Sequence, residues 1–272
     1  MPDAPATRRE EPPGDRGVGT RLARTRFDRV HWFLQIDSTN RYLIDRARDD
    51  EPEGLVAVAD VQTAGRGRLG RRWVAPKGAS LLVSVLLRRP LAVDDVHLLT
   101  SAAAITAADA VEALARIPVR VKWPNDIVVG ERKLAGVLAE SVRSESGLAV
   151  VVGLGLNVRW PEVPAELAGI ATACNLESDV PVDRADVLVA WLERFEGAVH
   201  DLDDKPGREV LRAAMLARSA TVGRRVRVEL ADGSLEGLAT GISASGHLEV
   251  RADDGSTRAV VAGDVVHLRP IG

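Results

Sequence analysis

Residues 62–73 read Gln-Thr-Ala-Gly-Arg-Gly-Arg-Leu-Gly-Arg-Arg-Trp, and the meaning given to this stretch decides the fold. Its twelve residues hold four arginines and three glycines, directly after the apolar run Leu55 to Val61. Arginine presents a planar, permanently charged fork that matches carboxylate and phosphate, and glycine lets a backbone come close to a ligand. A solvated basic loop is the ordinary fate of such a run, so the stretch alone leaves anion binding and plain solvation both open. Gly65-Arg66-Gly67-Arg68-Leu69-Gly70 also has the dinucleotide-binding spacing G-x-G-x-x-G after a strand-like run. That fold needs the glycines to open a helix and an acidic residue about 20 positions on. Pro76 and Gly78 break any helix here and Leu82 to Ala92 contains no acidic residue, so a Rossmann fold is rejected.

Working outward, Leu55–Val61 enters the arginine loop as a buried strand and Ala79–Leu87 leaves it as another, which anchors the loop at both ends. Upstream, a strand over Val30–Ile36 leads into Asp37-Ser38-Thr39-Asn40 and a helix over Arg41–Asp49. Ser, Thr, Asn and Asp satisfy free amides at helix starts, so capping explains that quartet without any ligand. Downstream, alanine-rich Leu98–Ile117 is the clearest helix and Pro118 marks its end. A run of hairpins follows: Val119–Trp123, the turn Pro124-Asn125-Asp126, the strand Ile127–Val129, a turn over Gly130–Arg132, and Lys133–Glu140. The strand Ala149–Val158 carries Gly153 and Gly155, which read either as a close backbone approach or as a bulge. Pro161–Val182 is loop-like, and Asp183–Leu202 and Gly207–Arg218 read as helices. From Arg224 to Leu268, five short β-rich runs alternate with Asp-Gly and Ser-Gly turns, as in a small barrel, which places a domain boundary near 220.

The chain of 272 residues, 46% hydrophobic, can bury one sizeable core beside a small module. Lys and Arg total 36 against 39 Asp and Glu, so the charge of the arginine loop is local and announces no nucleic-acid partner. Residues 1–26, rich in Pro, Arg, Asp and Glu, are expected to form a disordered arm. The single cysteine, Cys174, excludes an intramolecular disulfide and reads as a small buried hydrophobe. The five histidines lack metal-ligand spacing, and no metal ligand is assigned. No apolar segment approaching the ~20 residues of a bilayer span and no signal peptide is read, so a cytoplasmic protein without a membrane partner is expected.

Lys133 opens an otherwise apolar run after a turn, where an ammonium aimed inward would serve phosphate or carboxylate oxygens; an ordinary edge lysine is the alternative. Four stretches in this order resemble the biotin protein ligase family: Asp37-Ser38-Thr39-Asn40, Gln62–Trp73, Lys122-Trp123-Pro124-Asn125-Asp126 and Lys133-Leu134-Ala135-Gly136. The resemblance covers about residues 30–160, and the small C-terminal barrel also fits it.

The resemblance implies an α/β fold, with a mixed-sheet catalytic domain over 27–219 and an SH3-like domain over 220–272. It implies that biotin and ATP form biotinyl-5'-adenylate, with magnesium accompanying ATP, and that biotin then passes to a lysine of a biotin carboxyl carrier domain. By the same resemblance Arg66, Gly67 and Arg68 close over biotin and the adenylate phosphate, while Gln62, Ser38, Thr39 and Asn40 address the ureido end. Lys133 bridges the biotin carboxyl and the phosphate, Trp73 and Asn157 meet adenine, and Lys122 and Asn125 support the nucleotide. Gly65, Arg71 and Gly136 join the ligand-binding set, and Asp126 orients or deprotonates the incoming lysine. The stretch before Val30 is too short for the DNA-binding domain many members carry, so a monofunctional enzyme without a DNA partner is expected. A lipoate or octanoate ligase and a biotinyl-adenylate sensor are the alternatives.

Overall fold

The computed structural model describes residues 7–8, 17–89, 95–230, 233–261 and 263–268. An eight-stranded mixed sheet is built from β1 (Thr7–Arg8), β2 (Arg29–Gln35), β3 (Leu55–Ala59), β4 (Ser80–Leu87), β5 (Arg120–Lys122), β6 (Asp126–Val129), β7 (Arg132–Ser144) and β8 (Gly147–Asn157), in the order β1-β2-β3-β4-β8-β7-β6-β5. Only the β2–β3 pair is parallel, because α2 (Thr39–Arg48) crosses between them; the remaining pairs are antiparallel. The sheet's two faces have different fates. On β4, Leu81, Val83, Val85 and Leu87 join Val150, Val152, Leu154 and Leu156 of β8 in a core with α3 (Val96–Ala115) and α5 (Arg184–Asp201). The alternate positions Leu82, Leu86, Ala149 and Val151 pack with Leu43 and Ala47 of α2.

On that second face the apolar cover stops abruptly. Beyond Val151, the same side of β8 continues through Gly153 and Gly155, which leave the sheet bare. Pairing with β4 and β7 keeps its register there, so the glycines mark close approach and not a bulge. A Cβ on Gly153 would lie 2.1 Å from Asn40 Oδ1, and one on Gly155 would lie 2.6 Å from the Trp73 ring. Neither position tolerates a side chain, and a cavity opens over this floor.

After α6 (Lys205–Ala217), the C-terminal domain is a five-stranded antiparallel sheet of β9 (Arg225–Leu230), β10 (Gly233–Ile242), β11 (Leu248–Arg251), β12 (Thr257–Val260) and β13 (Asp264–His267), ordered β12-β11-β10-β9-β13. It is fastened to the catalytic sheet at Trp123, whose backbone N–H donates to Thr221 Oγ1 (3.1 Å) and whose Nε1 donates to the Gly246 carbonyl (3.2 Å).

Three sequence expectations are corrected. Of the arm expected to be disordered over 1–26, residues 1–6 and 9–16 lie outside the described residues, but from Gly17 onward the chain is folded. Val18 and Leu22 of the turn around α1 (Val18–Arg21) are fully buried, Arg26 Nε binds Glu196 (3.0 Å), and Phe27 stacks on Phe195. The loop expected over Pro161–Val182 contains a 3-10 turn, Ala165–Leu167, and a short helix α4, Cys174–Glu177. The 20-residue helix α3 does satisfy the length and composition of a membrane span, although most of it is enclosed by the sheet and α5.

Cys174 sits in the core, and burial pushes its thiol up to about 12. It is expected to be inert to a disulfide reagent at neutral pH and to react fully once the chain is unfolded, as absorbance of the released thiolate would record.

Candidate functional site

The largest sequence-distant convergence of polar groups surrounds a cavity of about 350 Å³ over the glycine floor. Ser38, Thr39, Asn40, Gln62, Arg66, Gly67, Arg68, Arg71, Trp73, Lys122, Asn125, Asp126, Lys133 and Gly136 all line it. Of the residues singled out from the sequence, Gly65 and Asn157 do not. Gly65 is required by the lid itself, since a Cβ there would stand 2.4 Å from the Trp73 carbonyl oxygen. Asn157 is buried, its Oδ1 accepting from Ser80 Oγ (3.2 Å) and its Nδ2 donating to the Thr172 carbonyl (2.9 Å).

The arginine stretch doubles back on itself. Trp73 N donates to Gly65 O (3.0 Å) and Gly67 N to Arg71 O (2.7 Å), with Leu69 at the tip in the left-handed region (φ 55°) and 73% exposed. A leucine so exposed and so placed gives nothing to the core, which marks the tip as the lid's least anchored part. The arginines of the lid reach in three directions. Arg66 Nη2 meets Glu140 Oε1 at 3.1 Å, Arg68 Nη1 donates to Asn125 Oδ1 and to the Gly263 carbonyl (3.3 Å each), and Arg71 pairs with Asp264 of β13. Burial pulls the Arg68 guanidinium below its ordinary value, opposed by Asp126 and reinforced by neighbouring Arg71. It stays charged, and a charge so desolvated gains most from an arriving anion.

Lys133 begins β7, where its N–H donates to Ile170 O (2.7 Å) and its carbonyl accepts from Thr172 N (2.9 Å), so the backbone is clamped on its free edge. Its Nζ lies 2.6 Å from Asp126 Oδ1 and 5.3 Å from the centre of the Trp73 ring. Trp73 rests on Gly155 beneath this ammonium, and its buried Nε1–H has no hydrogen-bond partner among the described residues. The quartet before α2 serves both as cap and as cavity wall. Ser38 caps α2, accepting from Arg41 N (3.4 Å), while Thr39 and Asn40 turn buried polar groups to the cavity: Thr39 N and Oγ1 reach Gln62 Oε1 at 2.7 and 3.0 Å.

Sequence reading misses Ser84, Glu140 and Asp264. Ser84 is one of two polar residues in the strand Ser80–Leu87, which is a usable signal; the other two are recognisable only through partners 100 and 193 positions away in Asn40 and Arg71. Among the described residues no group of three or more His, Cys, Asp or Glu side chains is arranged for a metal, and the lining carboxylates Asp126 and Asp264 are each engaged by a cation. The protein's own residues therefore do not fit a resident magnesium ion.

Comparison with known proteins agrees with this geometry. Residues 32–157 match the Biotin/lipoate A/B protein ligase family and residues 221–268 match the Biotin protein ligase C terminal domain. The biotin--[acetyl-CoA-carboxylase] ligase of Mycobacterium tuberculosis is 38% identical over 245 residues, covering 86% of this chain and 87% of that protein. The bifunctional ligase/repressor BirA of Bacillus spizizenii is 33% identical over 223 residues, 81% of this chain and 68% of the relative. The solved biotin protein ligase from Aquifex aeolicus in complex with biotin and ATP superposes with a TM-score of 0.78 at 29% identity, covering 89% of this chain and all of that one. The chain belongs to the biotin protein ligase family.

Proposed function

We infer that this protein activates biotin with ATP as biotinyl-5'-adenylate and transfers the biotinyl group to a lysine of a biotin carboxyl carrier domain. The observation that carries the reading is the convergence of Lys133, Arg68 and Asp126 on one cavity whose other end is a buried polar pocket of Thr39 and Gln62. Adenylation joins two anions, a carboxylate and an α-phosphate, and fixed cations remove their repulsion as charge develops. Lys133 and the desolvated Arg68 occupy the end of the cavity where such a pair would meet. Trp73 supplies a flat face and an unmet N–H donor suited to adenine. The polar pocket suits a urea, whereas the apolar ring of a lipoyl group would leave its donors and acceptors unpaired.

Asp126 has two successive partners on this reading. In the empty site it holds Lys133; once Lys133 turns to the reacting anions, the carboxylate is released to accept a proton from the incoming lysine. Magnesium is taken to arrive with ATP, and no step here runs through it. We place the reaction in the cytoplasm, where ATP is at hand, and assign no role in DNA binding.

Incubation with labelled biotin, ATP and a carrier domain tests the reading. Label on the carrier lysine supports it; adenylate without transfer indicates a sensor, and neither product removes the ligase reading. A further expectation concerns the lid: tryptic cleavage between Arg66 and Arg72 should slow several-fold when biotin and ATP are both present, because a ligand under Arg66 and Arg68 replaces solvent as their partner. Equal cleavage with and without ligands would mean that the lid does not close.

A further inference from the structure

Ser84 lies on the central strand β4, fully buried, directly across from Gly153 of β8. Nothing in the catalytic reading uses it. Its Oγ stands 2.7 Å from Thr39 Oγ1 and 2.6 Å from Asn40 Oδ1, and Thr39 Oγ1 stands 3.0 Å from Gln62 Oε1. These four oxygens form a line with three contacts, and only two hydroxyl protons are available to fill them. How those protons are shared fixes what the pocket offers a ligand.

Asn40 sets one end. Its Nδ2 donates to Glu140 Oε2 (2.9 Å) and the Leu138 carbonyl (3.3 Å), so the amide cannot turn over and Oδ1 must receive a proton from Ser84. Ser84 then has no proton left and accepts from the Thr39 hydroxyl. Gln62 Oε1 remains held by the Thr39 backbone N–H at 2.7 Å. In this arrangement the Thr39 oxygen turns a lone pair and not its proton toward the cavity, and the site as a whole is one donor short.

We propose that Ser84 is a positioning residue that sets the hydrogen-bond polarity of the head-group pocket, making Thr39 an acceptor and thereby selecting a cyclic urea with a free N–H. The proposal rests on the biotin reading above and adds the residue that enforces it. Ser84 does not touch the ligand; it acts through Thr39 and Asn40. Without it, the Thr39 hydroxyl is free to donate to Gln62 and the pocket no longer distinguishes an N–H from an N-alkyl group.

The test compares biotin with a biotin N-methylated on the ureido ring, in the parent and in Ser84→Ala. For Ser84→Ala, the Kd for biotin is expected to rise about tenfold, the scale of one lost hydrogen bond. The preference for biotin over the N-methyl analogue should shrink by a similar factor, while the KM for ATP and kcat at saturating biotin stay within about twofold of the parent. Should Ser84→Ala not give a folded protein, Ser84→Cys, nearly isosteric but a weak hydrogen-bonding group, reads the same quantities. An unchanged preference for N–H over N-methyl, or a loss shared equally by the ATP KM, would overturn the proposal and leave the ligase reading standing. A parent protein that neither binds biotin nor releases pyrophosphate would overturn both.

Discussion

Lys133→Ala is expected to lower the rate of biotinyl-adenylate formation by at least ~100-fold, the scale of removing one preorganised charge donor from a developing anion. The loss has two parts. The bridging ammonium disappears, and Asp126, which it held at 2.6 Å, remains as an uncompensated carboxylate beside two incoming anions. Their separation is testable: Lys133→Ala combined with Asp126→Ala should adenylate faster than Lys133→Ala alone, because the residual repulsion is gone. The fold should scarcely notice, since Lys133 and Asp126 keep 34% and 26% of their side-chain surface and such pairs contribute little to stability. Pyrophosphate release measures the first claim and thermal melting the second. Near-normal adenylation by Lys133→Ala would remove this residue from the site. A melting point lowered by more than a few degrees would mean that the clamp of Ile170 and Thr172 on β7 depends on the side chain as well as the backbone.

Much of this arrangement is legible in the chain because the elements that carry it are locally determined. The alternation on β4 and the alanine-rich α3 follow from periodicity, and the C-terminal strands follow from their Asp-Gly and Ser-Gly turns. Rejecting a Rossmann fold also needs only local chemistry, and Gly65 to Gly70 indeed form a doubled-back lid and no helix start. What local chemistry does not encode is who fills a space from far away. Val18 and Leu22 sit among charged residues and look dispensable, yet the surface that buries them comes with α5, where Asp186 binds Arg21 across 165 positions. Gly153 and Gly155 leave two readings open until Asn40 and Trp73 are seen pressed against them. Asn157 is expected at adenine from its motif, but Ser80 and Thr172 already occupy its amide. The contact of Arg71 with Asp264 joins the lid to the second domain, and no pattern in either stretch announces it.

Asp126→Asn should separate the two half-reactions. Adenylation is expected to persist within several-fold, because the amide oxygen can still accept from Lys133 and the charge facing the anions becomes more favourable. Transfer to the carrier should fall by ~100-fold or more, the contribution of a positioned general base. The reason lies in the nucleophile: a free lysine ammonium has a pKa near ~10.4, so at neutral pH only about one amine in a thousand is uncharged and able to attack. With Asp126 present, the proton moves within the bound complex and the transfer rate should be nearly flat from about pH 6 to 9. In the Asp126→Asn protein the amine must lose its proton to solvent first, so the single-turnover rate should climb about tenfold per pH unit over the same range. Single-turnover transfer from preformed adenylate measures both profiles. Matching slopes, flat or steep, would show that Asp126 moves no proton from the substrate lysine, and would confine it to holding Lys133.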